Sequence, residues 1–247
     1  MGPDKNKLII ADWATNGDFE FAVHYFKHLN ECIFDENLKV IVCVPIQFIN
    51  LGYRLLIENE NEQVCIGAQN ISSFTDNHIT GEISAHMLEE CGAKAVLMGS
   101  SARRKIGEND NDINCKIKIL RSSSLCPIMI VSDDCNGEES HECMVNHIKD
   151  DLSGIKHLKE LIIVYETNSK DVFQEDFEKI SQIIRQTAEK CCKIDNLYIL
   201  YGGNLNGANI QELINNEFFD GLFITDFSLK THEFCELLEL IKINKEF

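Results

Sequence analysis

The sequence has little proline and little positive charge. Only three of its 247 residues are proline, so no proline-rich linker divides the chain. We therefore expect one domain over residues 1–247, with 1–6 as a flexible terminus. Lysine and arginine number 23 against 40 aspartates and glutamates, which gives a formal net charge of −17. Such a surface repels nucleic acid and anionic lipid, so we predict neither as a partner.

Long apolar runs are also missing. No stretch approaches the roughly 20 residues that a membrane helix needs, and Asp12 interrupts the short run Leu8–Ala11. The 11 cysteines are odd in number and scattered, which favours thiols over a disulfide framework. We therefore predict a reducing, cytoplasmic location.

One cluster has residue types that bind metals: Cys135, His141, Cys143 and His147. Cys143 and His147 are four residues apart and could share a helix face. No Cys-x-x-Cys or His-Glu-x-x-His spacing accompanies them. We predict a surface loop and helix here, and no metal site.

Short apolar runs alternate with helical patterns along the whole chain. The runs are continuous rather than alternating with polar residues, which indicates parallel strands buried on both faces. They are Leu8–Ala11, Val40–Val44, Val64–Ala68, Ala95–Gly99, Ile128–Val131, Leu161–Tyr165, Leu197–Tyr201 and Gly221–Thr225.

The segments between these runs have apolar residues at helical spacing, which predicts helices packed on the sheet. Three stripes are expected in the core: Phe19, Val23, Phe26 and Leu29; Phe173, Phe177, Ile180 and Ile184; and Phe234, Leu237, Leu238 and Ile241. Ser84 is expected to cap a helix that Gly92 ends. Eight strand-helix units fit a single-domain α/β protein with a closed (β/α)₈ barrel; an open doubly wound sheet is the alternative on pattern alone.

Several motifs occur in the order in which triosephosphate isomerases carry them, one in each barrel segment. They are Gly67-Ala68-Gln69-Asn70, Thr80-Gly81-Glu82-Ile83-Ser84, Cys91-Gly92-Ala93, Arg103-Arg104, Tyr165-Glu166, Tyr201-Gly202-Gly203 and Ser228-Leu229-Lys230. The chain thus resembles the triosephosphate isomerase family. The resemblance implies a TIM barrel, a homodimer, and the glycolytic interconversion of dihydroxyacetone phosphate and glyceraldehyde 3-phosphate without a cofactor.

Two of the family's reacting groups have no equivalent in this chain. The first strand of the family ends in Asn-Trp-Lys, where the sequence has Asp12-Trp13-Ala14, so Ala14 stands in place of the cation. The fourth strand ends in Gly-His-Ser-Glu-Arg-Arg. By this resemblance Ser100 replaces the electrophilic histidine and Ala102 replaces the glutamate. Loss of one oxyanion donor costs about 2.7–4 kcal/mol.

The base of the reaction has a counterpart in Glu166, the second residue of Tyr165-Glu166. Glu166 either abstracts a proton from some substrate or remains as a relic with a structural hydrogen bond. The family continues with a Pro-Val-Trp hinge and a glycine-rich lid, whereas here the chain runs Thr167–Asp171 without glycine. We expect a shortened lid that admits water.

Of the two turns that bind the substrate phosphate in the family, one is retained. Gly202, Gly203 and Asn204 keep the seventh-strand turn, while Thr225 and Asp226 replace the Gly-Gly pair after the eighth strand. We expect Asp226 to act as an N-cap whose carboxylate occupies the N–H groups that would bind phosphate.

The third loop, Asn70–Gly81, keeps the family's length. In relatives this loop inserts into the partner subunit, and its residues Phe74 and Ile79 would be costly to expose. We therefore expect a homodimer through this loop.

These residues lead to a hypothesis and two alternatives. The hypothesis is a pseudoenzyme: a barrel that has lost isomerisation and serves as a binding or scaffold protein. The first alternative is a repurposed isomerase that uses Glu166 as general base, together with Ser100, on a smaller or uncharged carbonyl compound. The second is a weak triosephosphate isomerase with a recruited cation, for which Lys170 is the candidate.

Overall fold

The computed structural model describes residues 6–75, 79–132, 134–135, 138–139, 141–167 and 176–243, with the backbone alone for 134–135 and 138–139. Eight parallel strands close into one barrel in chain order, as the continuous apolar runs predicted, so the open sheet is excluded. They are β1 (Lys7–Asp12), β2 (Leu38–Val44), β3 (Val64–Ala68), β4 (Ala95–Met98), β5 (Cys126–Ser132), β6 (His157–Glu166), β7 (Lys193–Gly202) and β8 (Gly221–Ile224).

The barrel closes between its first and last strands, where Leu8 pairs with Gly221. A Cβ atom at Gly221 would overlap the Leu8 carbonyl, so the closure requires glycine at this position. A short antiparallel ladder outside the barrel joins Asp134–Cys135 to Glu138–Glu139.

Helices surround the barrel and link its strands. They are α1 (Phe19–Glu31), α2 (Ile46–Glu58), α3 (Ala85–Glu90), α4 (Ser101–Lys105), α5 (Asp110–Leu120), α6 (His141–Asp151), α7 (Phe177–Cys191), α8 (Ile210–Leu213) and α9 (Thr231–Leu240), with a 3₁₀ helix at Asp226–Leu229. The predicted cap of α3 is confirmed, because the Ser84 hydroxyl accepts from Met87 N at 3.3 Å. Gly92 follows the end of α3 with φ +94°, a conformation that favours glycine.

The core has two parts. Side chains inside the barrel, such as Ile10, Ile130 and Phe223, form one cluster, and a larger cluster lies between the barrel and the helices. Trp13 is fully buried in the larger cluster, with its ring 4.8 Å from Tyr25 and 4.9 Å from Phe21. The residue after β1 is thereby anchored against α1.

The predicted helical stripes are confirmed except in the first, where Phe26 and Leu29 are buried but Val23 is only partly buried and lies outside both core clusters. The last stripe is wholly buried in α9 and just beyond it. Phe19 contradicts the first stripe, since its side chain is 67% exposed. It is the first residue of α1, and Phe21 makes the contact with Trp13 instead. Phe177 packs against Tyr201, whereas Phe173, also predicted in this stripe, lies outside the described residues.

The cysteines depart from the sequence-based expectation at one position. In the described part of the chain nine are free thiols, of which Cys43, Cys192 and Cys235 are buried. Cys143 is disulfide-bonded, so the expectation of thiols throughout is wrong there, and its sulfur is not available to a metal. His147 Nδ1 lies 2.7 Å from Asp110 Oδ1. No group of three or more potential metal ligands comes together within the described ranges. The helices found in those ranges are too short or too polar to span a membrane.

Candidate active site

The turn after β1 is fixed by a side chain from the end of β3. Gln69 Nε2 donates to Asp12 Oδ1 at 2.8 Å and to the Ala14 carbonyl at 2.7 Å. The same carboxylate oxygen accepts from Ala14 N at 3.1 Å. With Trp13 buried beneath it, the turn has a defined shape at the carboxyl end of the barrel, where sites of (β/α)₈ enzymes lie.

Ala14 has a backbone conformation that is uncommon for residues other than glycine. Its φ is +47°, which costs of order 1–3 kcal/mol and persists only where the surroundings impose it. The residue is exposed, and its side chain ends at Cβ. The turn therefore keeps a strained backbone at the position where the resemblance implies a lysine, but it presents no cation.

The Asp12 carboxyl is shifted toward its neutral form. Burial raises its pKa, and the nearby charge of Glu166 raises it further. Hydrogen bonds from Gln69 and from the Ala14 amide act in the opposite direction but do not overcome the burial. The Glu166 carboxylate thus lies close enough to disfavour the ionisation of Asp12.

Ser100 is the N-cap of α4. Its Oγ accepts from Arg103 N at 3.3 Å, which satisfies one of the unpaired amides at the start of the helix. Ala102 is exposed on the same helix. In place of an imidazole and a supporting carboxylate, this turn thus has a capping hydroxyl and a methyl group.

Glu166, the last residue of β6, is bound by the residue after Ser100. Its Oε2 accepts from Ser101 N at 2.8 Å and from the Ser101 hydroxyl in a second, shorter hydrogen bond. A carboxylate with two donors on one oxygen is held in one orientation. The structure therefore ties the retained carboxylate to the start of α4.

The turn between β4 and α4 is itself supported from α5 and the segment before it. Gly99 has φ +79°, and a Cβ there would lie 2.8 Å from the Ile130 carbonyl. Glu108 Oε2 accepts from Gly99 N at 2.8 Å, and its Oε1 is paired with the buried Lys116 ammonium. Arg104 Nε donates to the Gly99 carbonyl at 3.1 Å. These contacts place Ser100 and Ser101 at the barrel mouth.

The turn after β7 contains Gly202, Gly203 and Asn204. A Cβ at Gly203 would overlap the Tyr201 ring, so the chain there requires glycine. The Asn204 carbonyl accepts from Asn209 Nδ2 at 2.9 Å. This turn keeps its glycines, but one of its backbone carbonyls is already hydrogen-bonded to a nearby side chain.

The expectation for Asp226 is wrong. The N-cap of the 3₁₀ helix is Thr225, and neither residue's side chain caps it. Asp226 lies one position further on and is exposed, and its carboxylate accepts no hydrogen bond from the described residues. The Thr225 carbonyl instead accepts from Ser228 N at 2.9 Å and from its Oγ at 2.6 Å. The turn is stabilised by Ser228, and Asp226 contributes only a negative charge.

The charge of the site is unbalanced. Within the described part of the chain, no lysine or arginine forms an ion pair with Asp12 or Glu166. The predicted lid over 168–171, including Lys170, falls outside the described residues, and Thr167 is the last residue described before it. Thr167 N donates to the Gly202 carbonyl at 3.0 Å, which joins the ends of β6 and β7.

Two residues of the site were missed by sequence reasoning. Ser101 follows Ser100 directly and was given no role, although its hydroxyl is the type of group that donates to a carboxylate such as Glu166. Gln69 stood in a quoted motif, yet it fixes Asp12 and Ala14 together. Its partners are distant in sequence, so only the closed barrel identifies them.

The fold and these residues define a (β/α)₈ barrel with a glutamate at the end of its sixth strand, facing a serine turn after the fourth. The sequence model of the family described as triosephosphate isomerase matches residues 7–241. This chain belongs to the triosephosphate isomerase family.

Similar proteins cover almost the whole chain. The triosephosphate isomerase of Francisella tularensis subsp. mediasiatica is 28% identical over 248 aligned positions, covering 94% of this chain and 96% of the relative. That of Clostridium novyi is 28% identical, covering 96% of this chain and 100% of the relative. That of Mycoplasma mobile is 28% identical, covering 95% and 100%.

Proposed function

We propose that this chain is a triosephosphate isomerase homologue that no longer interconverts dihydroxyacetone phosphate and glyceraldehyde 3-phosphate, and that serves as a binding or scaffold protein. Its relatives carry the name of the active enzyme, so the proposal concerns a loss within the family. The observation that carries it is the missing cation at Ala14 beside two carboxyl groups, Asp12 and Glu166.

The charge balance explains why the reaction fails. Enolisation places negative charge on the substrate oxygen, and an enzyme accelerates it with fixed donors or cations at that oxygen. Here the equivalent positions hold a methyl group and a capping hydroxyl, as Ala14 and Ser100. A dianionic phosphate substrate would also meet Asp12, Glu166 and Asp226. Binding and catalysis are both weakened by the same residues.

A binding measurement tests the part of this proposal that concerns affinity for the substrate. We expect titration calorimetry with dihydroxyacetone phosphate, and separately with inorganic phosphate, to show no saturable heat at millimolar ligand. Asp226→Gly restores a glycine at the eighth-strand turn and is the matched variant that should gain phosphate affinity. Micromolar binding by the unaltered protein would contradict the proposal.

A second candidate function is favoured by the two carboxyl groups. Asp12 has a raised pKa, and Glu166 lies close enough for its charge to contribute to that shift. A carboxyl group with a raised pKa beside a second carboxylate is the arrangement of a general acid and base. Glu166 would remove a proton next to the carbonyl of a small uncharged substrate while Asp12 hydrogen-bonds its oxygen. Exchange of dihydroxyacetone protons in D₂O, abolished by Glu166→Gln, would support this candidate over the first.

We also propose a homodimer through the loop Asn70–Gly81, as in the family. Phe74 is 54% exposed and Ile79 is 39% exposed, and both flank residues 76–78, which are outside the described ranges. Light scattering is expected to give twice the chain mass, and Phe74→Asp is expected to give the monomer. Ile33→Asp, on an exposed residue at the end of α1, is the control. The free thiols support a reducing, cytoplasmic location.

A further inference from the structure

A cavity of about 270 Å³ lies at the amino-terminal ends of the strands, opposite the candidate active site. Its floor is a layer of side chains from alternate strands: Leu8, Cys65, Cys126 and Tyr198, all of which pack against the cluster inside the barrel. Two of the four are cysteines, which are smaller than the isoleucines and leucines of the layers above. The small side chains leave room for a bound molecule.

The rim of this cavity contains two lysines that have no partner among the described residues. Lys39 and Lys94 line it, and within the described residues neither ammonium has a hydrogen bond or an ion pair. Burial raises the pKa of Cys65 to about 11, Lys94 and Lys39 lower it, and Glu160 raises it, so both cations and one carboxylate act at the floor. Lys7 also lines the cavity, but its ammonium donates to the Asn216 and Phe219 carbonyls at 2.7 Å each.

The cavity floor also presents the Cys126 thiol and the Tyr198 hydroxyl. The Cys126 thiol donates to the Pro127 carbonyl at 3.6 Å, and burial together with the nearby Glu160 raises its pKa. The Tyr198 hydroxyl is half-buried and has no hydrogen-bond partner among the described residues. A half-buried phenol without a partner is a donor that a ligand can use.

We propose that this cavity binds a small amphipathic monoanion. Its apolar ring or branched chain lies on the floor formed by Leu8, Cys65 and Cys126, and its carboxylate or sulfonate lies between Lys39 and Lys94. The lining has three lysines and two glutamates, which is a local positive balance on a chain of net charge −17. An anion is therefore favoured here, although the chain as a whole repels it. The site is independent of the proposed function of the barrel mouth.

The fluorescent probe anilinonaphthalene sulfonate tests this directly, because it combines apolar rings with one sulfonate. We expect one probe to bind per chain with enhanced, blue-shifted fluorescence. Benzoate should displace it, since benzoate keeps the ring and the charge. Benzylamine, with the same ring and the opposite charge, should not. Equal displacement by both compounds, or no enhancement at all, would overturn the proposal.

Variants locate the site. Lys39→Ala with Lys94→Ala is expected to weaken probe binding at least about tenfold, the effect of losing two charged contacts. Lys27→Ala with Lys190→Ala removes two exposed lysines from α1 and α7 and should leave binding unchanged. Cys126→Phe fills the floor and should abolish binding, with near-ultraviolet circular dichroism to establish that the variant is folded. If this variant does not fold, the double variant Lys39→Ala, Lys94→Ala tests the location of the site by itself. Unchanged affinity in that pair would contradict the assignment.

Discussion

Ser101 donates both its amide and its hydroxyl to one oxygen of Glu166, so the carboxylate at the end of β6 is bound to the first residue of α4. The amide is 2.8 Å from Glu166 Oε2. A base that is to abstract a proton must reach a substrate carbon. In this structure the carboxylate is instead engaged by the protein, which supports a structural part for the one reacting group that the chain retains.

Removal of the hydroxyl donor should therefore reduce stability. Ser101→Ala leaves the amide bond but removes the shorter contact, and we expect a loss of about 1–2 kcal/mol in the free energy of unfolding. Urea denaturation measures it. Ser122→Ala is the matched control, because Ser122 is exposed and its hydroxyl contacts only the Ile119 carbonyl at 3.2 Å. Equal losses in the two variants would show that the Glu166 contact contributes nothing specific.

Replacement of the missing groups should restore some isomerisation. Ala14 already has φ +47°, and lysine tolerates this conformation about as well as alanine does, so Ala14→Lys adds a cation without a new backbone shape. Combined with Ser100→His, it should raise kcat/KM for glyceraldehyde 3-phosphate by about 100-fold or more, the typical effect of one oxyanion donor. The added Glu166→Gln substitution should abolish the gain. An unchanged rate in the double variant would mean that the loss lies elsewhere, for example in the lid.

The hydrogen bond from Gln69 limits the rise in the pKa of Asp12. Gln69→Leu removes a hydrogen bond that lowers this pKa, so we expect the pKa of Asp12 to rise further. A ¹³C titration of the carboxyl carbons follows it. Gln182→Leu, which removes an exposed amide bonded to Glu178 on α7, should leave Asp12 unchanged. A fall in the pKa of Asp12 would contradict the assigned contact.

Asp151 should make stability depend on pH. Burial raises its pKa from 3.8 to about 9, although Arg104 NH2, 3.2 Å from its Oδ2, lowers it. The folded protein thus keeps a proton that the unfolded chain releases above pH of about 4. Stability should fall as pH rises between these two values, by at most about 1.4 kcal/mol per unit.

Asp151→Asn should flatten that dependence, because an amide of the same shape has no proton to lose. Arg104 keeps its second partner, Asp110, at 2.5 Å. Thermal unfolding from pH 5 to 9 compares the two proteins, with the exposed Glu217→Gln as control. A wild-type protein that becomes more stable over this range would show that Asp151 is ionised and paired throughout.

The barrel could be predicted because its strands are continuous apolar runs, and two-sided burial leaves that pattern directly in the sequence. Motif order gave the family and the positions of Ala14, Ser100 and Glu166. The bonds among those residues were not predictable, since Gln69 meets Asp12 only after the barrel closes. Asp226 was assigned as a cap one residue too late, because the identity of a capping residue depends on where a short helix begins.

The central claim is that this member of the family does not isomerise triose phosphates. A coupled isomerase assay on purified protein, run in both directions and beside a Glu166→Gln preparation made in the same host, tests it most directly. We predict that the two preparations give the same rate, at the level of contaminating host enzyme. Activity that is present in the unaltered protein and disappears in Glu166→Gln would contradict the claim.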